Sequence, residues 1–296
     1  MKVFEETIEV EGGPRGIHRY RFEPEIARPK GGVIMVHGIG DHLGRYRHVA
    51  EFFCDRGFSC TGVDLPGHGK SAGQRGHIPT IETITDLVDL ALFQFAETLP
   101  ESAPIGIFAH SMGAFVVLEH LARRQPLLRF AWLSSPLVSP SEGRNSLLVS
   151  FAKRFAWLFA RLSINTGVST ADCHPTTDAK TGAAVPRDPL KHRRISFGFA
   201  GEVMRQEALA RAAVRELTGD LELMITHGDR DQICGYDLSK ELFDSIPLRR
   251  KRFVTAEGAL HETLHGPEAA WTLGQAAEWL EEWNPVKPET TSSVES

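Results

Sequence analysis

Pro104-Ile-Gly-Ile-Phe-Ala-His-Ser-Met-Gly113, running on into Ala114–His120, decides the fold. An apolar run ends at Ala109, and a helical pattern starts just after Ser111. Between them lies small-x-Ser-x-Gly, the pattern of a strand that reverses into a helix so tightly that only small residues fit two positions before and after the serine. Such a turn strains the serine backbone and pushes its hydroxyl out at the carboxyl end of a sheet. The helix N-terminus and its free N–H groups favour negative charge there. A serine that merely caps a helix is the plainer alternative. The strand before Ser111 and the helix after it favour the tight turn. Ala109 stands where glycine is commoner, a difference of one methyl.

Upstream, Gly32–Val36 is a continuous apolar run, as in a strand buried on both faces, and it empties into His37-Gly-Ile-Gly-Asp-His42. Gly44–Gly57 has helical spacing. Phe58–Val63 predicts the next strand, ending in Asp64-Leu-Pro-Gly-His-Gly-Lys-Ser71, which neither helix nor strand tolerates. Residues 2–10 and 17–23 alternate around a Gly-Gly-Pro turn and predict an antiparallel pair. Thr80–Leu99 predicts an amphipathic helix.

Downstream, Phe130–Leu133 predicts a strand, and then the alternation stops from Leu137 to about Leu217. Asn145–Ile164 is apolar nearly all round, with Lys153, Arg154 and Arg161 among its large side chains. Residues 165–190 read as loop, and Ser196–Leu217 as helix. Alternation resumes with a strand at Leu221–Thr226, a helix over Gly235–Ser245, a strand at Lys251–Thr255 and a helix from about Glu262 to Glu282. The pattern predicts an α/β protein with a mostly parallel central sheet flanked by helices. Residues 1–137 and 218–285 form its core, 138–217 an inserted, mainly helical cap, and 286–296 a disordered tail.

A chain of 296 residues that is 42% hydrophobic can bury a large core, and a net charge of −5 leaves no electrostatic footprint for nucleic acid. Cys54, Cys60, Cys173 and Cys234 include no Cys-x-x-Cys pair and no zinc spacing, so they read as thiols of a reducing, cytoplasmic compartment, with no metal expected. Met1–Glu6 lacks the apolar core of a signal peptide, and no run of about 20 apolar residues marks a membrane span.

A serine hydroxyl is a weak nucleophile until a base takes its proton, and the base needs an orienting acid. In open α/β sheets these groups come from loops at the carboxyl ends of strands. The loop His227-Gly-Asp-Arg-Asp-Gln-Ile233 offers Asp229 and Asp231, and Ala256-Glu-Gly-Ala-Leu-His-Glu262 offers His261. His265, one helical turn further on, is the competing base; position relative to the strand end favours His261. The order Ser, Asp, His is that of a hydrolase class whose oxyanion donors are the N–H after the nucleophile, here Met112, and one from the first central strand's exit loop, here Ile39. Each such donor is worth roughly 3 kcal/mol of barrier. His37-Gly38 is equally a tight turn whose side chain braces the loop.

The chain resembles the α/β-hydrolase superfamily, and within it the monoacylglycerol lipase and lysophospholipase branch of S33 type. The matching stretches are His-Gly-Ile-Gly-Asp-His-Leu-Gly-Arg-Tyr (37–46), Asp-Leu-Pro-Gly-His-Gly-Lys-Ser-Ala-Gly (64–73), His-Ser-Met-Gly (110–113), Ser-Ser-Pro-Leu (134–137), His-Gly-Asp-Arg-Asp (227–231) and Glu-Gly-Ala-Leu-His-Glu (257–262). The resemblance implies Asp231, the fourth residue of Gly-x-x-Asp, as the acid and His261 as the base. It also implies an oxyanion N–H at Ile39, a thiol, Cys234, near the site, and no cofactor. The chain departs from the pattern at Ala109 and in the cap, which matches only at Asp188-Pro-Leu-x-His192.

The apolar segment of so small a cap faces in part the active-site opening or a lipid surface. Each buried methylene there stabilises an acyl chain by about 0.8 kcal/mol. The substrate is therefore expected to be a lipophilic ester, lined by His37, Gly38, His110 and Leu137 from the strand exits and by Phe155, Trp157 and Phe159 from the cap. Alternatives are a carboxylesterase or amidase for short acyl groups, a perhydrolase with the same three residues, and a non-catalytic receptor, which need not keep them. Dehalogenase chemistry requires aspartate where Ser111 stands.

Overall fold

In the computed structural model, residues 1–141, 145–166 and 188–283 are described. Eight strands form one sheet. In chain order the elements are β1 (Lys2–Ile8), β2 (Ile17–Glu23), β3 (Gly31–Val36), α1 (Arg47–Asp55), β4 (Phe58–Val63), α2 (Ile81–Thr98), β5 (Ile105–His110), α3 (Met112–Arg124) and β6 (Phe130–Ser134). After these come α4 (Ser146–Phe155), β7 (Ser163–Asn165), β8 (Arg194–Ser196), α5 (Phe197–Ala213), β9 (Glu222–Gly228), α6 (Tyr236–Ser245), β10 (Lys251–Ala256) and α7 (Ala269–Trp283). The sheet order is β1-β2-β4-β3-β5-β6-β9-β10. The β1–β2 and β2–β4 pairings are antiparallel; every pairing from β4 to β10 is parallel.

The local chemistry explains these elements. Every residue of β3, β5 after Ile105, β6 and β9 is buried, as continuous apolar runs covered on both faces require. Thr80 caps α2, its hydroxyl accepting the Thr83 N–H at 3.3 Å, and Glu82 lies in the first turn. Ser196 caps α5 in the same way. One apolar layer joins α2 and α3 to the sheet; the other packs Phe53, Phe108, Phe130, Trp132 and Trp279 beneath α1 and α7. Trp132 is fully buried, its ring 5.0 Å from that of Phe108, and its indole N–H donates to Thr226 Oγ1 at 3.1 Å.

Between β6 and β9 the chain leaves the sheet. The apolar stretch after Asn145 is helical only to Phe155; a 3-10 turn (Ala156–Phe159) follows, and the chain then runs into β7. The turn is set by pairing, because Phe197 and Gly198 donate backbone N–H groups to Leu162 and Ala160. The antiparallel pair β7–β8, three residues a strand, is not foreseen by the sequence pattern. Most of the expected loop at 165–190, with Cys173, and the expected tail at 286–296 lie outside the described residues.

The last helix starts at Ala269 rather than Glu262. Pro267 disfavours helix at Gly266, and Glu262 is pulled aside by Arg45 and Lys191. His265 therefore is not a helical turn from His261; its Nε2–H donates to the Arg45 carbonyl at 3.2 Å. No helix among the described residues is long and apolar enough to cross a membrane.

Trp132→Ala removes a buried ring and leaves Thr226 without its donor. We expect a loss of about 3–5 kcal/mol in folding stability, read as a lower urea midpoint. A loss under about 1 kcal/mol would mean that the layer repacks freely.

Candidate active site

The strand order reverses at β3: β4 lies on one side of it and β5 on the other. The exit loops of β3 and β5 therefore diverge and leave a crevice at their carboxyl ends. Ser111 sits there, between β5 and α3, with φ +55° and ψ −122°. A non-glycine residue in that region is strained, and the surroundings hold it. The Ser111 N–H donates to Ser134 O at 2.9 Å, and Ser111 O accepts from Phe115 and Leu137. Gly113 is required by contact, because a Cβ on it would stand 2.5 Å from the His37 carbonyl oxygen.

The loop after β3 lies against the serine. A Cβ on Gly38 would be 3.0 Å from Ser111 Cβ and 3.5 Å from its Oγ. Ile39 follows directly in that loop, and Met112 opens α3, where helix N–H groups lack intrahelical acceptors. His37 is fully buried and braces the loop: its Nδ1–H donates to Gly38 O at 2.8 Å, and its Nε2 accepts the Leu65 N–H at 2.9 Å. Burial lowers its pKa and keeps it neutral, as those two bonds require. His37 is thus held within the loop.

His261 Nε2 is 3.0 Å from Ser111 Oγ, and its Nδ1–H donates to Asp231 Oδ2 at 2.7 Å. Ser111 is 7% and His261 5% exposed. The Ser135 hydroxyl donates to the His261 carbonyl at 2.7 Å and fixes the loop. Burial opposes charge on His261, but the Asp231 carboxylate outweighs it and raises the pKa well above the usual histidine value. Burial likewise acts to raise Asp231, and His261 and His227 hold it far below the carboxylate range instead.

Asp231 accepts four N–H groups: Ile233 at 2.8 Å and Cys234 at 3.0 Å on Oδ1, His227 Nε2 at 3.0 Å and His261 Nδ1 on Oδ2. His227 also faces the Cys234 carbonyl at 3.1 Å, so its Nε2 must carry the proton. Asp229 is exposed, and its Oδ1 accepts the Gly258 N–H at 2.6 Å as a turn brace. Asp231, Cys234 and His261 place ligand-type atoms within 4.8 Å of one another, but the carboxylate is already saturated by N–H donors. Cys54, Cys60 and Cys234 are free and buried.

A second buried network adjoins the first. Arg45 binds Asp41 at 2.9 Å and Glu262 at 2.6 Å, and Lys191 reaches Glu262 at 2.9 Å. Burial would raise Glu262, but Arg45 and Lys191 hold it down to about 2. The network ties the loops carrying Ile39 and His261 to the inserted segment. Of the other expected lining residues, His110 is buried with its ring 4.9 Å from that of His261, and the Leu137 N–H meets the Ser111 carbonyl. Phe155, Trp157 and Phe159 are exposed on the insertion, where Phe155 meets Phe151 and Phe159 meets Phe197. Sequence reasoning missed His227, Arg45 and Glu262 as partners. All three lie inside the quoted motif stretches, which was the available signal.

Residues 27–268 match the hydrolase family described as serine aminopeptidase, S33. A monoacylglycerol lipase of Mycolicibacterium smegmatis is 29% identical over 85% of this chain and 88% of its own. Phospholipase YtpA of Bacillus subtilis is 26% identical over 81% of this chain and 91% of its own. The crystal structure of Paleococcus ferrophilus monoacylglycerol lipase superimposes with a TM-score of 0.80 at 26% identity, covering 90% of this chain and 98% of that one. With its mostly parallel sheet and a family match over most of its length, the chain belongs to the serine aminopeptidase S33 family of α/β-hydrolases.

Proposed function

We propose that the protein is a serine esterase that cleaves carboxylic esters of lipophilic acyl groups, of the monoacylglycerol or lysophospholipid class, through an acyl-enzyme. The observation that carries this reading is the imidazole of His261, bridging Ser111 Oγ at 3.0 Å and Asp231 Oδ2 at 2.7 Å. The names of the relatives support the substrate class.

Ser111 Oγ attacks the ester carbonyl as His261 Nε2 takes its proton. The imidazolium that forms is held by Asp231, whose low pKa keeps it ionised. The tetrahedral oxyanion lies between the amides of Ile39 and Met112, in a site from which most water is excluded. Its collapse breaks the ester C–O bond, and His261 gives its proton to the departing alcohol. A water, deprotonated by the same imidazole, then attacks the acyl-enzyme; collapse frees the carboxylic acid and returns the proton to Ser111. The near burial of Ser111 supports the reading of the segment between β6 and β9 as a lid, on which Phe155, Trp157 and Phe159 expose apolar surface that suits a lipophilic acyl chain.

A fluorophosphonate should label Ser111 covalently and leave Ser111→Ala unlabelled, while turnover across p-nitrophenyl esters, monoacylglycerols and lysophospholipids should favour medium or long chains. A sharp preference for acetyl would point instead to a short-chain carboxylesterase.

Asp231→Asn should lower kcat by about ten-thousandfold, as loss of the orienting carboxylate does in such relays. Asp229→Asn should stay within a few-fold of the parent, and equal effects would reject Asp231 as the acid.

His261 can accept a proton only when neutral. A raised pKa keeps it protonated to higher pH, so the acid limb of kcat/KM should have its midpoint above the ordinary histidine value of 6.5. Residual activity of Asp231→Asn should show that limb at lower pH. A parent midpoint below 6.5 would contradict the coupling.

A further inference from the structure

Asp231 and His261 both stand in loops, and a proton relay built from two loops needs a fixed point. Of the four N–H groups that meet the Asp231 carboxylate, those of Ile233 and Cys234 belong to its own loop and move with it. His261 is carried by the loop after β10. Only His227 stands on a strand, as the last residue but one of β9.

β9 is held on both sides at that point. His227 is in register with Thr255 of β10, and Thr226 with Ser134 of β6. The Tyr236 ring meets the His227 ring edge-on at 5.8 Å, and its hydroxyl is 2.7 Å from Thr255 Oγ1, so the wall beside the imidazole is itself tied to β10. The side chains of His227 and Asp231 are wholly buried.

The acceptors place the proton. His227 Nε2 is 3.0 Å from Asp231 Oδ2 and 3.1 Å from the Cys234 carbonyl, and an ionised carboxylate and a carbonyl only accept. Nδ1 has no partner among the described residues, so a proton there would be a buried donor without an acceptor. The site fits the Nε2–H tautomer, whose single N–H is shared between the carboxylate and the backbone of the same loop.

We propose that His227 is a positioning residue of the relay: its Nε2–H ties the Asp231 carboxylate to the sheet and sets the direction in which Oδ2 meets His261. Backbone contacts place the two loops side by side. The Arg230 N–H donates to Ala259 O at 3.0 Å, and a Cβ on Gly228 would lie 2.4 Å from the carbonyl oxygens of Ala259 and Leu260. None of these reaches the carboxylate. Without His227 the acid keeps two loop donors, both on Oδ1, and Oδ2 loses the bond that anchors it. A shift of about 1 Å there passes to the imidazole, and misplacement of that size costs on the order of a hundredfold in rate. This role rests on the relay of Ser111, His261 and Asp231 proposed above.

The test compares His227→Gln with His227→Leu on a short soluble p-nitrophenyl ester, with an unfolding midpoint for each variant. Glutamine places its amide nitrogen where Nε2 stands and offers an N–H to each acceptor; leucine fills the space and offers none. His227→Gln should stay within about threefold of the parent, whereas His227→Leu should lower kcat about ten- to hundredfold, the usual weight of a hydrogen bond to a charged group. KM should stay within about twofold, because the bond acts on the chemical step. On an Asp231→Asn background the leucine replacement should change kcat by less than about threefold, since the group through which His227 acts is gone. Should the leucine variant not fold, His227→Asn, whose amide is too short to reach Oδ2, takes its place in both comparisons. Parent-like kcat in the donor-less variant, equal losses with glutamine, a loss carried by KM, or full additivity with Asp231→Asn would overturn the proposal. A crippled Asp231→Asn beside a parent-like His227→Leu sinks the positioning role alone; a parent-like Asp231→Asn sinks the relay and this role with it.

Discussion

The backbone at Ser111 is the constraint from which the site follows. Holding a residue with a Cβ at φ +55° costs about 1–3 kcal/mol, and β5, α3 and β6 must jointly supply it. They do so through the bond from the Ser111 N–H to Ser134 and those from Phe115 and Leu137 to its carbonyl. The tight reversal also brings α3 against the end of β3. That is why Gly113 and Gly38 cannot carry side chains without displacing backbone or the serine itself. A change at either glycine would act on the distance between Ser111 and the Ile39 loop before it touched chemistry.

Charge is buried here under a different rule. Isolated carboxylates are strongly disfavoured away from water, and removing one partner of a buried pair is worse than never having it. Asp231 meets this with four N–H donors, two from its own loop and two from imidazoles. Asp41 and Glu262 meet it by sharing Arg45. The two clusters touch through the chain at His261-Glu262, so the imagined loss of Arg45 would disturb the histidine loop without any contact to the serine. His227 occupies an intermediate place. Its Nε2 faces Asp231 and the Cys234 carbonyl, and it shares the oxygen to which His261 is bound.

The parts legible in the sequence were those whose physics is local. Continuous apolar runs revealed β3, β4, β6 and β9 within a residue or two, because a strand covered on both faces has no polar side to hide the signal. The serine turn was legible because sterics confine it to small residues at fixed offsets. His261 was singled out by its position past a strand end, and its Nε2 lies 3.0 Å from Ser111 Oγ. What stayed hidden depends on groups far apart in sequence: Arg45 and Glu262 are 217 residues apart, and no periodicity announces such a pair. The start of α7 was misplaced for the same reason, since the tie that unwinds 262–268 comes from elsewhere. The β7–β8 pair is too short for alternation to register, and its partners are separated by residues that carry no strand signal.

The insertion is tied to the core at several points, and its returning leg makes the ties nearest the site. Its returning leg is stitched to the core: the His192 N–H donates to Gly40 O at 2.9 Å, His42 Nε2–H to Asp188 at 2.8 Å, Lys191 to Glu262, and the Ser196 N–H to Gly76 O at 2.8 Å. Gly40 and Gly76 have positive φ, and a Cβ on either would strike the carbonyl of His192 or Arg194, so the fit is backbone to backbone. The loop with Gly40 is the one that carries Ile39 and lies against Ser111. The α4 edge, by contrast, presents its apolar face outward. A force applied at that edge therefore has a short mechanical route to the loop after β3, through α5, its cap Ser196, and the leg from Asp188 to His192. α5 also packs on α2 and α3, through the Ile81 N–H to Glu202 and Arg123 to Gln206, so the insertion is coupled to the helix that follows Ser111 as well as to the loop lying against it.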